Sequence, residues 1–181
     1  MRTPERPVDD IRSLPAVSDI AEYLAARGIE YQRHDHPPVF TCEEEAQHVP
    51  ESGAARTKNL FLRDRKGKRH FLLVTSCTKQ VSIAAFTEIS GADRLSFASP
   101  ERMMKYLGVE PGSVTLLGLM NDPAHAVELF IDSDVWAAAS IHAHPLRNDA
   151  TFVLDHDAVV RFLAATGHAP RVVSIRPTAT S

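Results

Sequence analysis

The stretch that most constrains this chain is Thr57-Lys58-Asn59-Leu60-Phe61-Leu62-Arg63-Asp64, followed by a charged break and a second apolar run from Arg69 to Thr75. Two strand-like runs around Lys66-Gly67 form the pattern of a β-hairpin. Alternation puts Lys58, Leu60 and Leu62 on one face of the first strand, and Asn59, Phe61 and Arg63 on the other. A lysine at the end of an apolar strand face is held partly out of water and can present a fixed positive charge to a ligand. The competing reading is an ammonium that snorkels past the strand end into solvent.

Around the hairpin, helical and strand signals mix. Ser18 has the character of an N-cap for a short helix that Gly28 stops. Thr41 and Glu44 have the capping-box spacing for a helix to about Val49. Residues 82–89 read as helix, Ser99-Pro100 starts another that Gly108 ends, and residues 135–139 are a short one. Residues 155–166 form a last helix with Val159, Val160, Phe162 and Leu163 on its apolar face. Strands are expected at 29–34, 94–98, 127–132, 140–144, 151–154 and 171–175. Without strict βαβ alternation, the class is α+β with a mixed sheet.

At 181 residues the chain has the length of one domain, and its 44% apolar and 24% charged residues are ordinary for a globular protein. No apolar run approaches the roughly 20 residues of a membrane span. Residues 1–15 lack the apolar core of a signal peptide. The expectation is a leader over 1–16, a domain over 17–176, a tail over 177–181, and a cytoplasmic location. Cys42 and Cys77 lack CxxC spacing, so free thiols are expected rather than a disulfide. The net charge of −3 argues against a general nucleic-acid binder, and no DNA partner is expected. Locally, Arg63, Arg65, Lys66, Lys68 and Arg69 crowd the hairpin tip, which can touch phosphates or simply be a solvated turn.

The chain has no GxSxG, GxxxxGK[ST] or GxGxxG, which argues against common serine-hydrolase, nucleotide-hydrolase and dehydrogenase plans. His142-x-His144 and His34-x-His36 have a spacing metals accept, yet HExxH and an obvious third ligand are missing. No metal or other cofactor is expected; His144, before Pro145, is read as a residue that hydrogen-bonds substrate or a loop. In the loop 110–115, Gly112 lets backbone approach a ligand, and successive N–H groups there can hold an oxyanion.

Taken together, His36-Pro37-Pro38-Val39-Phe40, Thr57 to Asp64, Arg94 to Ala98, Leu107 to Leu119, and His144-Pro145-Leu146 with Asn148 and Thr151 resemble the YbaK/ProX group of freestanding aminoacyl-tRNA editing proteins. Gly167-His168 and Pro170-Arg171-Val172 fit as well. The strings are most similar to the alanine-specific ProXp-ala or PrdX-like branch, and the resemblance spans about residues 17–176. It implies a single YbaK-like α+β domain, a mixed, mostly antiparallel sheet flanked by helices. It implies metal-independent hydrolysis of the ester in mischarged tRNA-Pro, most readily Ala-tRNA-Pro. The alternatives are Cys-, Ser-, Thr- or 2-aminobutyrate-charged tRNA, or a non-catalytic tRNA-binding module.

By this resemblance Lys58 is the essential lysine, and Asn59 follows it to orient amino acid or water. Gly112 and Ser113 supply oxyanion donors, and Phe40, Leu60, Leu62, Val114 and His144 bind or wall in the substrate. The acceptor end of the tRNA is the implied partner, with prolyl-tRNA synthetase or an elongation factor as further candidates. The chain departs from the group's GxxxP loop by carrying Leu116 at the fifth position, and it lacks acidic residues near Lys79 and Ser82.

Overall fold

The computed structural model describes residues 17–178. The expected leader, 1–16, and the last residues of the expected tail lie outside them. Fourteen elements follow in order: α1 (Val17–Ala25), β1 (Gln32–Asp35), α2 (Cys42–His48), β2 (Thr57–Asp64), β3 (His70–Ser76), α3 (Ile83–Ser90), β4 (Leu95–Phe97), α4 (Pro100–Leu107), β5 (Val127–Asp132), α5 (Ser133–Trp136), β6 (Ser140–Ala143), β7 (Ala150–Asp155), α6 (His156–Thr166) and β8 (Arg171–Val173). A 3-10 turn, Leu116–Asn121, bridges α4 and β5. Among the described residues no helix is long and apolar enough to cross a membrane.

Local signals place these elements well. Thr41 Oγ1 accepts the Glu44 N–H at 3.1 Å, and Glu44 Oε2 accepts the Thr41 N–H at 3.3 Å, the reciprocal pair of a capping box. Ser99 caps α4 ahead of Pro100, and Gly108 ends it at φ 65°. The first helix starts at Val17, so Ser18 falls inside it rather than at its cap. β1 begins at Gln32, later than the alternation from Ile29 suggests, because Ile29 packs into the core as a loop residue.

The strands divide between two sheets: β1-β7-β6, all antiparallel, and β4-β2-β3-β5-β8. In the larger sheet β2 pairs antiparallel with β3 and β4, while β3-β5 and β5-β8 are parallel. The larger core holds Phe61, Leu72, Val74, Leu129, Phe152 and Phe162 together with α1, α4 and α6. A smaller core on the opposite face joins Leu62, Phe71, Leu73, Phe86 and Phe130 under α3. Even residues of β3 face one core and odd residues the other, which is why 70–75 are buried without a break.

Cys42 and Cys77 form a disulfide, with Cα atoms 6.0 Å apart, and this corrects the expectation of free thiols. The missing CxxC spacing was no guide, because folding brings the first residue of α2 against the turn after β3. Lys79 reaches the buried Asp132 at 2.8 Å and Asp134 at 2.7 Å, so acidic partners for this turn come from β5 and α5, distant in sequence.

Candidate functional site

β4 is short and pairs only with Leu62–Asp64 of β2. The outer edge of β2 before Phe61 is therefore uncovered, and a cavity of about 260 Å³ wraps around it. Lys58, Asn59, Leu60 and Phe61 all line that cavity, although alternation assigns them to opposite faces. A bare strand edge makes this possible, since side chains from both faces can be reached past it.

Four other segments close the cavity: the Phe40-Thr41-Cys42 start of α2 with Glu45, Phe97 of β4 with Met103 of α4, the Gly112-Val114 loop, and His144 after β6. Hydrogen bonds lock these segments together. Val39 N–H donates to Asn148 O at 2.9 Å, and Asn148 Nδ2 donates to Val39 O at 3.0 Å. His36 Nε2 hydrogen-bonds Thr151 Oγ1 at 2.9 Å. His36, Asn148 and Thr151, singled out by their motifs, thus brace the loops that carry Phe40 and His144. Leu146 turns sharply behind His144, with φ 63° and its N–H on His144 O at 2.9 Å. A branched residue in that conformation costs on the order of 1 kcal/mol, which the surrounding packing sustains.

Gly112 is required twice over. Its φ is 86°, and a Cβ there would stand 2.8 Å from Phe40 Cδ1, so the phenyl ring lies directly on its backbone. Phe40 is itself 70% exposed, and Phe97, which no sequence signal marked as a site residue, is 61% exposed at the rim of the same cavity. Ser113 is placed differently from expectation. Its N–H donates to Glu110 O at 3.0 Å and its side chain is buried away from the cavity, so a turn consumes the amide assigned to an oxyanion. The flanking Gly112 and Val114 amides make no hydrogen bond among the described residues, and both residues line the cavity. Leu62 is also corrected: it is fully buried in the smaller core and forms no part of the wall. Leu116 lies in the larger core beneath the loop.

The electrostatics are specific. The Lys58 ammonium makes no ion pair or hydrogen bond among the described residues, so its charge is uncommitted. Asn59 Oδ1 is enclosed and has no donor. Glu45, 3% exposed, was missed by sequence reasoning; its spacing with Cys42 and Val49 on one face of α2 was the available signal. Burial alone would raise the Glu45 carboxyl, but the His142 hydrogen bond and the charges of His142, His144 and Arg56 outweigh it and hold the group below the ordinary carboxylate value. His144 Nδ1 donates to Ala150 O at 3.1 Å, which fixes the tautomer with Nε2 as an acceptor. Burial, first among its influences, lowers the His144 imidazole below its ordinary value and keeps it neutral near pH 7.

His142 and His144 do not work as a pair. His142 Nδ1 is committed to Glu45, while His144 lines the cavity. Among the described residues no three His, Cys, Asp or Glu side chains converge as a metal site requires. Of the basic tip, Arg69 is bound to Glu128 at 2.7 Å, whereas the Arg65, Lys66 and Lys68 side chains are exposed and make no ion pair among the described residues.

Residues 36–162 match the model of the aminoacyl-tRNA editing domain. The chain is 33% identical over 147 residues to the prolyl-tRNA editing protein ProX of Acetoanaerobium sticklandii, covering 81% of this chain and 90% of that one. It is 33% identical over 158 residues to prolyl-tRNA synthetase associated domain-containing protein 1 of Danio rerio, covering 86% and 85%. Its fold is shared with a solved structure described as a candidate trans-editing enzyme for prolyl tRNA synthetase, at TM-score 0.67, 20% identity and coverage of 91% and 99%. The chain belongs to the aminoacyl-tRNA editing domain family, in the YbaK/ProX-like group that its motifs resemble, and is a hydrolase of aminoacyl-tRNA esters.

Proposed function

We propose that this protein is a trans-editing deacylase that hydrolyses the ester of mischarged tRNA-Pro, with Ala-tRNA-Pro as its substrate. The observation that carries the reading is the convergence of Lys58, Asn59, Gly112 and His144 on one cavity at a bare strand edge. The proline-editing names of its relatives support the choice of tRNA-Pro.

An aminoacyl ester is already activated, so a water molecule can attack its carbonyl without a protein nucleophile. In this scheme Lys58 holds the terminal phosphate or ribose by charge. His144 Nε2 accepts a hydrogen bond from the attacking water or from the ribose hydroxyl beside the ester. The Gly112 and Val114 amides receive the oxyanion, a contribution of about 3–4 kcal/mol for a well-placed donor. Leu60, Val114 and Phe40 are among the cavity walls, and in this reading their shape, rather than the cavity's total volume, admits alanine and rejects a prolyl ring. Such a second site is needed because a pocket shaped for proline rejects a smaller residue by only about 1–3 kcal/mol. Arg65, Lys66 and Lys68 supply phosphate contacts outside the cavity, and the reaction belongs to the cytoplasm, where tRNA is charged.

The test is deacylation of Ala-, Cys-, Ser- and Pro-tRNA-Pro and of Ala-tRNA-Ala side by side. Selective loss of alanine from tRNA-Pro is the expected result. Preference for another mischarged species moves the substrate, and turnover of none removes the deacylase reading in favour of a tRNA-binding module.

A further inference from the structure

The wall of the cavity carries a carboxylate oxygen that the protein leaves without a donor. Both contacts to the Glu45 carboxylate end on Oε1: His142 Nδ1 at 2.5 Å and Arg56 Nη1 at 3.5 Å. Arg56 is anchored instead on Val49 O, at 2.8 Å from Nη2. Glu45 Oε2 receives no hydrogen bond among the described residues, and it is not one of the sealed, unpartnered atoms, so it opens to the cavity that Glu45 lines. Unpartnered buried acceptors are costly. Glu45 Oε2 belongs to a group with a full negative charge, and its opening on the cavity points to a ligand that brings N–H donors and a positive charge.

A protonated primary amine has that chemistry: three N–H donors and a positive charge. We infer that Glu45, through its open Oε2, is the receptor for the α-ammonium group of the aminoacyl ester. This rests on the deacylase reading and adds a specificity rule to it. The cavity selects esters of α-amino acids over esters of α-hydroxy acids, independently of side-chain size. Lys58 lies on the same cavity as a cation, so a substrate with an ammonium at one end and a phosphate at the other is oriented by two opposite charges. Glu45 acts here as a binding and positioning residue, and no bond is made or broken on it.

The probe is lactyl-tRNA-Pro, in which a hydroxyl of similar size replaces the ammonium of alanyl-tRNA-Pro. Each enzymatic rate is divided by the spontaneous hydrolysis rate of the same ester in the same buffer, since the ammonium also activates the ester. The wild-type protein is expected to prefer the alanyl ester by at least about 30-fold in normalised kcat/KM. That preference should fade as pH rises through the ester's α-amino pKa, while the lactyl rate lacks this dependence. In Glu45→Gln the preference should fall to within about threefold, mainly through KM for the alanyl ester. A wild-type protein that cleaves both esters equally after normalisation overturns the inference and leaves the deacylase reading intact. So does a Glu45→Gln variant that keeps the full preference. Should that variant fail to fold, the wild-type pair of esters and their pH profiles decide alone. Cleavage of neither ester, nor of any other aminoacyl-tRNA, overturns the deacylase reading and this inference with it.

Discussion

Glu45 of α2 and His142 of β6, 97 positions apart in the chain, meet in the interior through a 2.5 Å hydrogen bond from Nδ1 to Oε1. Both side chains are almost fully buried. The bond ties the helix that starts the cavity wall to the smaller sheet, and it leaves His142 Nε2 enclosed without a partner.

Removing one member of a buried polar pair strands the other, and the usual cost is about 3–5 kcal/mol. His142→Ala should therefore lower unfolding stability by about 3 kcal/mol in urea titration, with the longer Arg56 ion pair at 3.5 Å offsetting only part of the loss. The double variant Glu45→Gln, His142→Ala should recover part of that loss, because no uncompensated carboxylate remains. A loss below about 1 kcal/mol in the single variant would mean that solvent or Arg56 satisfies Glu45.

The state of His144 sets the acid side of the pH profile. Burial lowers its folded-state value, so the unfolded chain binds the proton more readily. Stability linked to this group is therefore complete above the ordinary imidazole value of about 6.5 and declines as pH falls from there through the lower folded value. Deacylation should follow, since protonation removes the Nε2 lone pair. Initial rates should hold from pH 7.5 through about 6.5 and fall only as pH passes the lower folded value. In His144→Ala the rate should be low throughout and the drop absent. An unchanged acid limb in that variant assigns the titration to another group.

The disulfide gives a third expectation. Cys42 lines the cavity and opens α2, while Cys77 sits in the turn beyond β3, 35 positions away. Closing a loop of that length constrains the unfolded chain by at most about 4 kcal/mol. Excess dithiothreitol, or Cys77→Ser, should lower Tm and loosen the Phe40–Glu45 wall, with KM rising more than kcat falls. A Tm indifferent to reductant shows that the thiols are free in solution.

Much of the fold was legible because its signals are local. Thr41 with Glu44, Ser99-Pro100 with Gly108, and the two apolar runs around Gly67 each fix an element within a few residues. The site was less legible, because it depends on what a neighbour fails to cover. Alternation separates Lys58 from Asn59, and only the shortness of β4 brings them to one cavity. Glu45 stands in a run of three glutamates whose middle member explains the helix start, which masked the inward-facing one. Ser113 shares its loop with Gly112, but a single turn hydrogen bond to Glu110 removes its amide from use. The Cys42–Cys77 pair required knowing that two segments abut, which spacing along the chain does not encode.

Lys58 is the most direct point of test. It lines the cavity and its ammonium makes no ion pair or hydrogen bond among the described residues, so trimming the side chain should leave its backbone pairing with β3 and the fold intact. The decisive measurement is single-turnover deacylation of Ala-tRNA-Pro by the wild-type protein and by Lys58→Ala, with Tm recorded for both. The expected result is a loss of at least about 100-fold in rate, the scale of a charge contact of about 3 kcal/mol, with Tm unchanged within a few degrees. Full activity in Lys58→Ala would contradict the assignment of this cavity as the site of ester hydrolysis.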